Sequence, residues 1–370
     1  MAARCVSDGR GARASLSVVL ACGAVLAGLL VVACGAFSAS ESAPDPSGDG
    51  GGQDGTTNDA PGATTDGGML AADASDGSSP PLLPVVLASG FATLSSIAAT
   101  ETAVYFVDQQ SGDIDMVPLV AGGTVQTLVP TGASPHTIAI ANGQLYWSDF
   151  GQGTLSRASL TTPVPSLTSV KAGYKPVSIA ASAAGVVALL TNTTAPLDGQ
   201  VVQYDFMLNE TGVAVAGQSN PFEAVLFGDQ IFWTESAGHR VRRGLFGMTT
   251  NDVWSENQVD SETIAADQNG VYWSAGPNVR MSPAAAGSPV LDVSTTEGTP
   301  TSLASDGSSV YWLTQDSLRR WNRVPGSAPT TLATGAFGLV SSQFRGIAVT
   351  TSYVVWITGD GKVMRLAKSW

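Results

Sequence analysis

The sequence predicts an all-β chain folded as a β-propeller of seven four-stranded blades. Three observations predict it. A unit of small apolar strand, turn and aromatic strand recurs with a period near 40. The chain stops after the third strand of its last unit. An orphan strand stands before its first unit. A period of about 40–45 residues built from short strands marks propeller blades.

The repeat is clearest in Ile97-Ala98-Ala99 with Val104-Tyr105-Phe106, Ile138-Ala139-Ile140 with Leu145-Tyr146-Trp147, Ile264-Ala265-Ala266 with Val271-Tyr272-Trp273, and Leu303-Ala304-Ser305 with Val310-Tyr311-Trp312. Weaker copies start at Ile179, Ala224 and Ile347. The aligned aromatic position reads Phe106, Trp147, Ala188, Trp233, Trp273, Trp312, Trp356, with spacings of 41, 41, 45, 40, 39 and 44. Each part of the unit has a physical reason. A strand of small apolar residues fits where blades converge on a narrow axis. Asn142-Gly143, Asn269-Gly270 and Asp306-Gly307 favour tight hairpins because they tolerate positive φ. Tyr and Trp on the second strand present wide faces to neighbouring sheets. Third strands follow, as in Thr154–Ala158 and Lys362–Leu366, and an outer strand closes the unit, as in Thr330–Thr334.

The ends predict how the ring closes. The orphan strand in residues 82–90 resembles the outer strand at 329–335, so it should complete the last blade and remove an exposed edge. Six blades is the alternative, because the unit at Ile179 lacks its aromatic.

The run Leu145-Tyr146-Trp147-Ser148-Asp149-Phe150-Gly151 resembles the YWTD blade of LDL-receptor-type propellers, and Ile231-Phe232-Trp233-Thr234-Glu235 is a partial match. Bacterial envelope lipoproteins with a propeller behind a Ser/Gly linker are also similar. The resemblance implies a binding scaffold and usually six blades, where seven units are counted here. It carries no catalytic residue onto this chain.

Two segments precede the propeller. Residues 1–33 read as a signal peptide, with Arg4, Arg10 and Arg13 before an apolar run from Ala14 to Ala33. The run ends in Val31-Val32-Ala33-Cys34, which resembles a bacterial lipobox. That resemblance implies cleavage before Cys34 and lipidation of its thiol, and Cys22 is a second candidate. An uncleaved anchor is the alternative, since 20 apolar residues can just span a bilayer. Residues 34–81 read as a disordered tether: eight acids, no Lys or Arg, and no aromatic between Phe37 and Phe91. The propeller is assigned 82–370. Cys5, Cys22 and Cys34 are the only cysteines, so the propeller has no thiol nucleophile and no Cys metal ligand.

The net charge of −13 argues against a nucleic-acid partner. The three segments carry +2, −8 and −7, so much of the acidity belongs to the tether. No phosphate loop, nucleophile elbow or zinc-helix motif is present.

Chemistry is therefore sought at the channel mouth, where the loops entering each inner strand converge. The candidate ligand-binding residues there are His136, Lys175, Phe222, Glu223, Asp260, Glu262 and Arg345. His136 and Glu262 are the catalytic candidates: an imidazole exchanges protons near neutral pH, and a carboxylate can act as general acid or base. Glu223, Asp260 and Glu262 could instead gather oxygens for calcium, the one cofactor considered, and no other metal site is assigned. Lys175 and Arg345 could meet an anion across the mouth. Each also has a plain reading as a solvated loop residue. His239 reads as a turn residue, and Arg240-Val241-Arg242-Arg243 as the exposed side of a strand. The reading favoured is a monomeric, non-enzymatic binding module, held at the membrane through Cys34, on the outer membrane or cell surface, with an envelope protein or glycan as partner. An extracytoplasmic hydrolase or lyase with its site at the mouth is the alternative.

Overall fold

The computed structural model describes residues 83–130, 134–283, 285, 287–324, 326–335 and 345–370. The chain divides into two units, 1–74 and 75–370. The first lies outside the described residues, as do the signal peptide, Cys22, Cys34 and the tether. Within the second, seven four-stranded antiparallel sheets form seven blades. Blades 1–6 span residues 94–129, 135–169, 174–218, 221–255, 264–294 and 302–334. Blade 7 takes three strands from 347–367 and its outer strand, Val85–Ser89, from the N-terminal side.

That borrowed strand runs antiparallel to Lys362–Ala367, with Val85 opposite Arg365 and Ser89 opposite Lys362. Closure thus works as the orphan strand predicts, and two distant segments share one ladder. The six-blade alternative is corrected: the unit at Ile179 is a complete blade with inner strand Tyr174–Ser182. Ala188 sits fully buried where other blades carry an aromatic, and Tyr146 and Tyr204 share its core cluster.

The register explains the repeat. Each aligned aromatic position stands directly opposite the aligned inner-strand residue: Ile97 and Phe106, Ile138 and Trp147, Ile179 and Ala188, Ala224 and Trp233, Ile264 and Trp273, Leu303 and Trp312, Ile347 and Trp356. Trp233, Trp273, Trp312 and Trp356 are fully buried. Truncating such a residue to Ala costs about 3–5 kcal/mol. Three indoles also donate to the preceding blade's outer end: Trp233 to Gln218 Oε1 (3.0 Å), Trp273 to Gln258 Oε1 (2.9 Å) and Trp312 to Glu297 Oε2 (3.2 Å). The acceptor lies 15 residues earlier each time. In blade 1 the same spacing joins two rings instead, Phe91 edge-on to Phe106 at 5.0 Å.

Of the three turn expectations one holds and two need correction: at Asp306-Gly307 only the glycine takes positive φ, 83°, in a loop between Ser305 and Val310. Asn142 and Gly143 both take positive φ, 49° and 70°, as a two-residue hairpin with a type I′ turn requires. Asn269-Gly270 is not such a turn. Gly270 already belongs to its strand, and a Cβ there would meet Ser282 O at 2.4 Å. Glycine is needed for that close approach.

Candidate functional site

The inner strands begin at one face of the ring, here called the entry face, and end at the other, the exit face. The entry loops build a circuit of hydrogen bonds around the axis. The residue before the aligned Ile is Ser96, Thr137, Ser178, Glu223, Thr263, Ser302 and Gly346 in blades 1–7. In five blades its hydroxyl accepts a backbone N–H from the next blade. Ile138 N–H reaches Ser96 Oγ at 3.1 Å, Ile179 reaches Thr137 Oγ1 at 3.0 Å, and Ala224 reaches Ser178 Oγ at 3.3 Å. Leu303 N–H reaches Thr263 Oγ1 at 2.9 Å, and Gly346 reaches Ser302 Oγ at 3.0 Å. In blade 4 the Glu223 carboxylate takes this role, Oε2 accepting from Ile264 at 3.1 Å. In blade 7, where Gly346 offers no side chain, the Arg345 carbonyl accepts from Ile97 at 2.9 Å. All seven junctions are satisfied, as buried backbone groups at a convergent centre require.

The two blades that lack the hydroxyl are joined to each other. Arg345 donates from Nε to Glu223 Oε1 at 2.8 Å and from a terminal nitrogen to Ala224 O at 2.7 Å. Blades 4 and 7 lie three steps apart in a ring of seven, so this side chain spans the axis. It caps a channel of about 260 Å³ lined mainly by Ile, Ala and Leu of the inner strands.

This arrangement decides the fate of the sequence candidates. Glu223 is not free to join Asp260 and Glu262 in an oxygen cluster, because Arg345 and Ile264 hold both its oxygens. Asp260 is exposed, with positive φ of 53° in the loop from blade 4 to blade 5. Glu262 is half-buried, its backbone N–H donating to Ser274 Oγ at 3.2 Å and its carbonyl accepting from Thr234 Oγ1 at 3.1 Å. Among the described residues no three of His, Cys, Asp and Glu gather as a metal site would need. Lys175 donates from Nζ to Gly151 O, and Arg345 is held by Glu223 and Ala224.

His136 and Phe222 do come together. With Phe150, Val177, Asn220 and Pro221 they line a small cavity of about 110 Å³ at the entry face, drawn from blades 2, 3 and 4. The imidazole lies 5.8 Å from the Phe150 ring, tilted by 35°. Burial pushes its pKa below the ordinary histidine value, against the opposing pull of a hydrogen bond to the Val177 backbone and of Asp149. The ring therefore stays neutral at pH 7. Phe150, on a turn between strands, was not among the sequence candidates.

The residues that follow the aligned Trp prove to be staples. Ser148, Thr234 and Ser274 accept backbone N–H groups of Thr137, Glu223 and Thr263 at 3.2 Å. Asp149 Oδ2 accepts from Ser134 N at 3.2 Å, and Glu235 Oε1 from Ser219 N at 2.8 Å. The basic run after His239 also needs correction. Arg240 and Arg242 are not merely solvated: they approach the fully buried Glu235 carboxylate at 3.1 and 3.7 Å, and Arg243 pairs with Asp252.

No family model and no curated protein sequence matches the chain. Among solved structures it is similar to virginiamycin B lyase from Staphylococcus aureus, at 11% identity and a TM-score of 0.61, over 78% of this chain and 99% of that one. A streptogramin B lyase aligns at 12% identity and 0.61, over 77% and 96%. The WD40 repeats of RRP9 align at 10% identity and 0.61, over 77% and 97%. Likeness at such identities establishes the fold alone: the chain is a seven-bladed β-propeller.

Proposed function

We propose that the chain is a lipid-anchored, extracytoplasmic propeller that binds a partner protein through its entry face and is not an enzyme. One observation carries the binding reading. The axis is capped by the Arg345–Glu223 pair, and the open cavity beside it, at about 110 Å³, has room for one side chain. Sites for small-molecule substrates run to about 300–1,000 Å³, and the groove of that size on the entry face, about 960 Å³ and lined by Glu297, Thr314, Asp316 and Arg319, holds neither His136 nor Glu262. The His136 cavity, rimmed by a half-exposed Phe150, suits an apolar anchor residue of a protein partner. The enzymatic alternative would couple His136 to Glu262, and Glu262 does not line the His136 cavity. The address rests on the sequence: the basic start, the apolar run and the lipobox-like ending at Cys34, with the outer membrane or cell surface as destination.

Two measurements test this. Metabolic labelling with palmitate should mark the protein, and Cys34→Ser should abolish the label. Label that survives Cys34→Ser but is lost with Cys22→Ser would move the anchor. Cross-linking in intact envelopes, read by mass spectrometry, should place a partner peptide beside Phe150 or Phe222. Phe222→Asp should remove that cross-link while the protein stays folded. Cross-links unaffected by Phe222→Asp, or turnover lost with His136→Ala, would overturn the binding reading.

A further inference from the structure

The exit face carries an exposed apolar residue on every blade. Strands alternate direction within a blade, so each connection from third to outer strand falls on this face. There stand Val120, Val164, Met207, Met248, Val290 and Val324 in blades 1–6, between 39% and 78% exposed. In blade 7 the outer strand begins at Val85, and Leu83 just before it is 77% exposed. Trp370, 44% exposed, rests against blade 6 on the same face, its ring 4.4 Å from the Arg320 guanidinium. The entry face shows three large exposed apolar residues among the described ones: Phe150, Leu197 and Val259.

Single exposed apolar residues are ordinary. One at the same connection of six blades, with Leu83 before the borrowed strand of the seventh, makes a ring on this face. The charges among those connections are sparse: Asp205 accepts from Asn209, Arg323 pairs with Asp267, and Glu210 is exposed where its outer strand begins, while the inner hairpins of this face add the exposed Glu101 and Asp229. The chain outside the described residues also arrives here. The register of the borrowed strand puts Val85 at the exit end and Ser89 at the entry end.

We propose that the exit face lies on a lipid bilayer, its apolar ring seated among the headgroups, so that the His136 cavity points away from the membrane. This rests on the lipid-anchored reading above. A tether that carries a lipid at Cys34 and joins the propeller beside Leu83 brings this face to the bilayer first. Val and Met side chains on loops that carry few charges, with a Trp at the rim, suit the boundary between headgroups and acyl chains. Such a ring binds weakly by itself, and the tether supplies the effective concentration that makes it count.

The test uses residues 75–370, the compact unit that encloses the whole closed ring and contains no cysteine. An N-terminal histidine tag holds it on phosphatidylcholine vesicles containing a nickel-chelating lipid. Single cysteines replace Val164 or Val324 on the exit face and Leu197 or Val259 on the entry face, each labelled with a polarity-sensitive dye. Quenching by brominated lipid should be at least about twofold greater at 164 and 324 than at 197 and 259. Met207→Asp with Met248→Asp should erase that difference. Equal quenching on both faces, stronger quenching on the entry face, or a difference that survives the two Asp substitutions overturns the proposal. So does a dimer in sedimentation that the same substitutions dissolve, since a second copy would then cover the ring. The tagged fragment reaches the vesicle without Cys34. The face can therefore fail while palmitate labelling upholds the anchor, and the anchor can fail while the face stands.

Discussion

Arg345 and Glu223 meet across the propeller axis, Nε to Oε1 at 2.8 Å, and they belong to the two blades where the ring of entry hydroxyls is interrupted. Gly346 leaves the gap in blade 7, and Glu223 stands in place of a hydroxyl in blade 4. The pair thus replaces two local bonds with one long strut. Both side chains are mostly buried, at 21% and 13% exposure.

Removing one partner from such a pair leaves the other charge short of compensation. Arg345→Ala should destabilise the 75–370 unit by about 2–4 kcal/mol, a little under the cost for fully buried pairs. Glu223→Ser in the Arg345→Ala background should recover more than half of that. A serine there can take the Ile264 N–H as Ser and Thr do at five other junctions. Urea unfolding checks both. No recovery in the double variant would mean that the hydroxyl pattern is not what holds the ring.

A second prediction concerns the indole acceptors. Gln258 receives Trp273 Nε1 at 2.9 Å and Arg280 at 3.0 Å, and it is itself buried. Gln258→Leu should cost about 1–3 kcal/mol, because a buried donor loses its acceptor. Adding Trp273→Phe removes the donor as well, and the double variant should be less destabilised than the two single effects combined. Blade 1 already uses the apolar solution with Phe91 against Phe106. Strict additivity in the thermodynamic cycle would refute the coupling.

The contrast between blades shows what the sequence makes legible. The pairing of Ile138 with Trp147 is readable because strand and turn lengths are nearly constant, so a sequence period becomes a spatial register. The entry hydroxyls were equally present in the sequence, as Ser or Thr before Ile or Leu, but such residues are common in strands and carry no mark of their role. Glu223, from its place at a blade entry, reads in the sequence as one oxygen of a ligand cluster. Its partner lies 122 residues away, and no local spacing reveals a contact across an axis. The His136 cavity escaped in part for the same reason. His136 and Phe222 come from entry loops, but Phe150 comes from a turn inside blade 2.

A third prediction follows from Asp115 on the third strand of blade 1. It is buried opposite Phe106, and its Oδ1 meets no hydrogen-bond donor among the described residues. Burial pushes its pKa up. A hydrogen bond with Thr127 opposes the shift, and Asp108 and Asp113 add to it. A carboxyl whose folded pKa is raised favours folding below its unfolded value and loses that contribution as pH rises through the folded one. At pH 7 the group is therefore a liability. Asp115→Asn should raise stability by about 1 kcal/mol at pH 7, with the gain shrinking toward pH 4. Thermal unfolding at the two pH values checks the sign, and a loss at pH 7 would show that the charge is compensated.

The pH dependence of His136 runs the other way and links stability to binding. Burial holds the folded imidazole below the ordinary value of about 6.5 that it takes in the unfolded chain. Below that pH the unfolded state binds the proton first, so stability is lost as pH falls toward the folded pKa, at up to about 1.4 kcal/mol per pH unit. Asp306, whose pKa falls because Lys368 and Ser308 outweigh its burial, loses its contribution only below about pH 4, so the two windows separate. His136→Phe should keep the apolar lining and flatten the stability curve between pH 6.5 and 5, leaving it unchanged above pH 7.5. An apolar anchor entering the cavity removes more water from the imidazole and lowers its pKa further. Partner binding should therefore weaken as pH falls through the same window, and the Phe variant should bind with nearly constant affinity. Titrating the cross-linked partner peptide against both proteins at pH 7.5 and 5.5 measures this. Equal weakening in both would place the pH sensitivity elsewhere than His136.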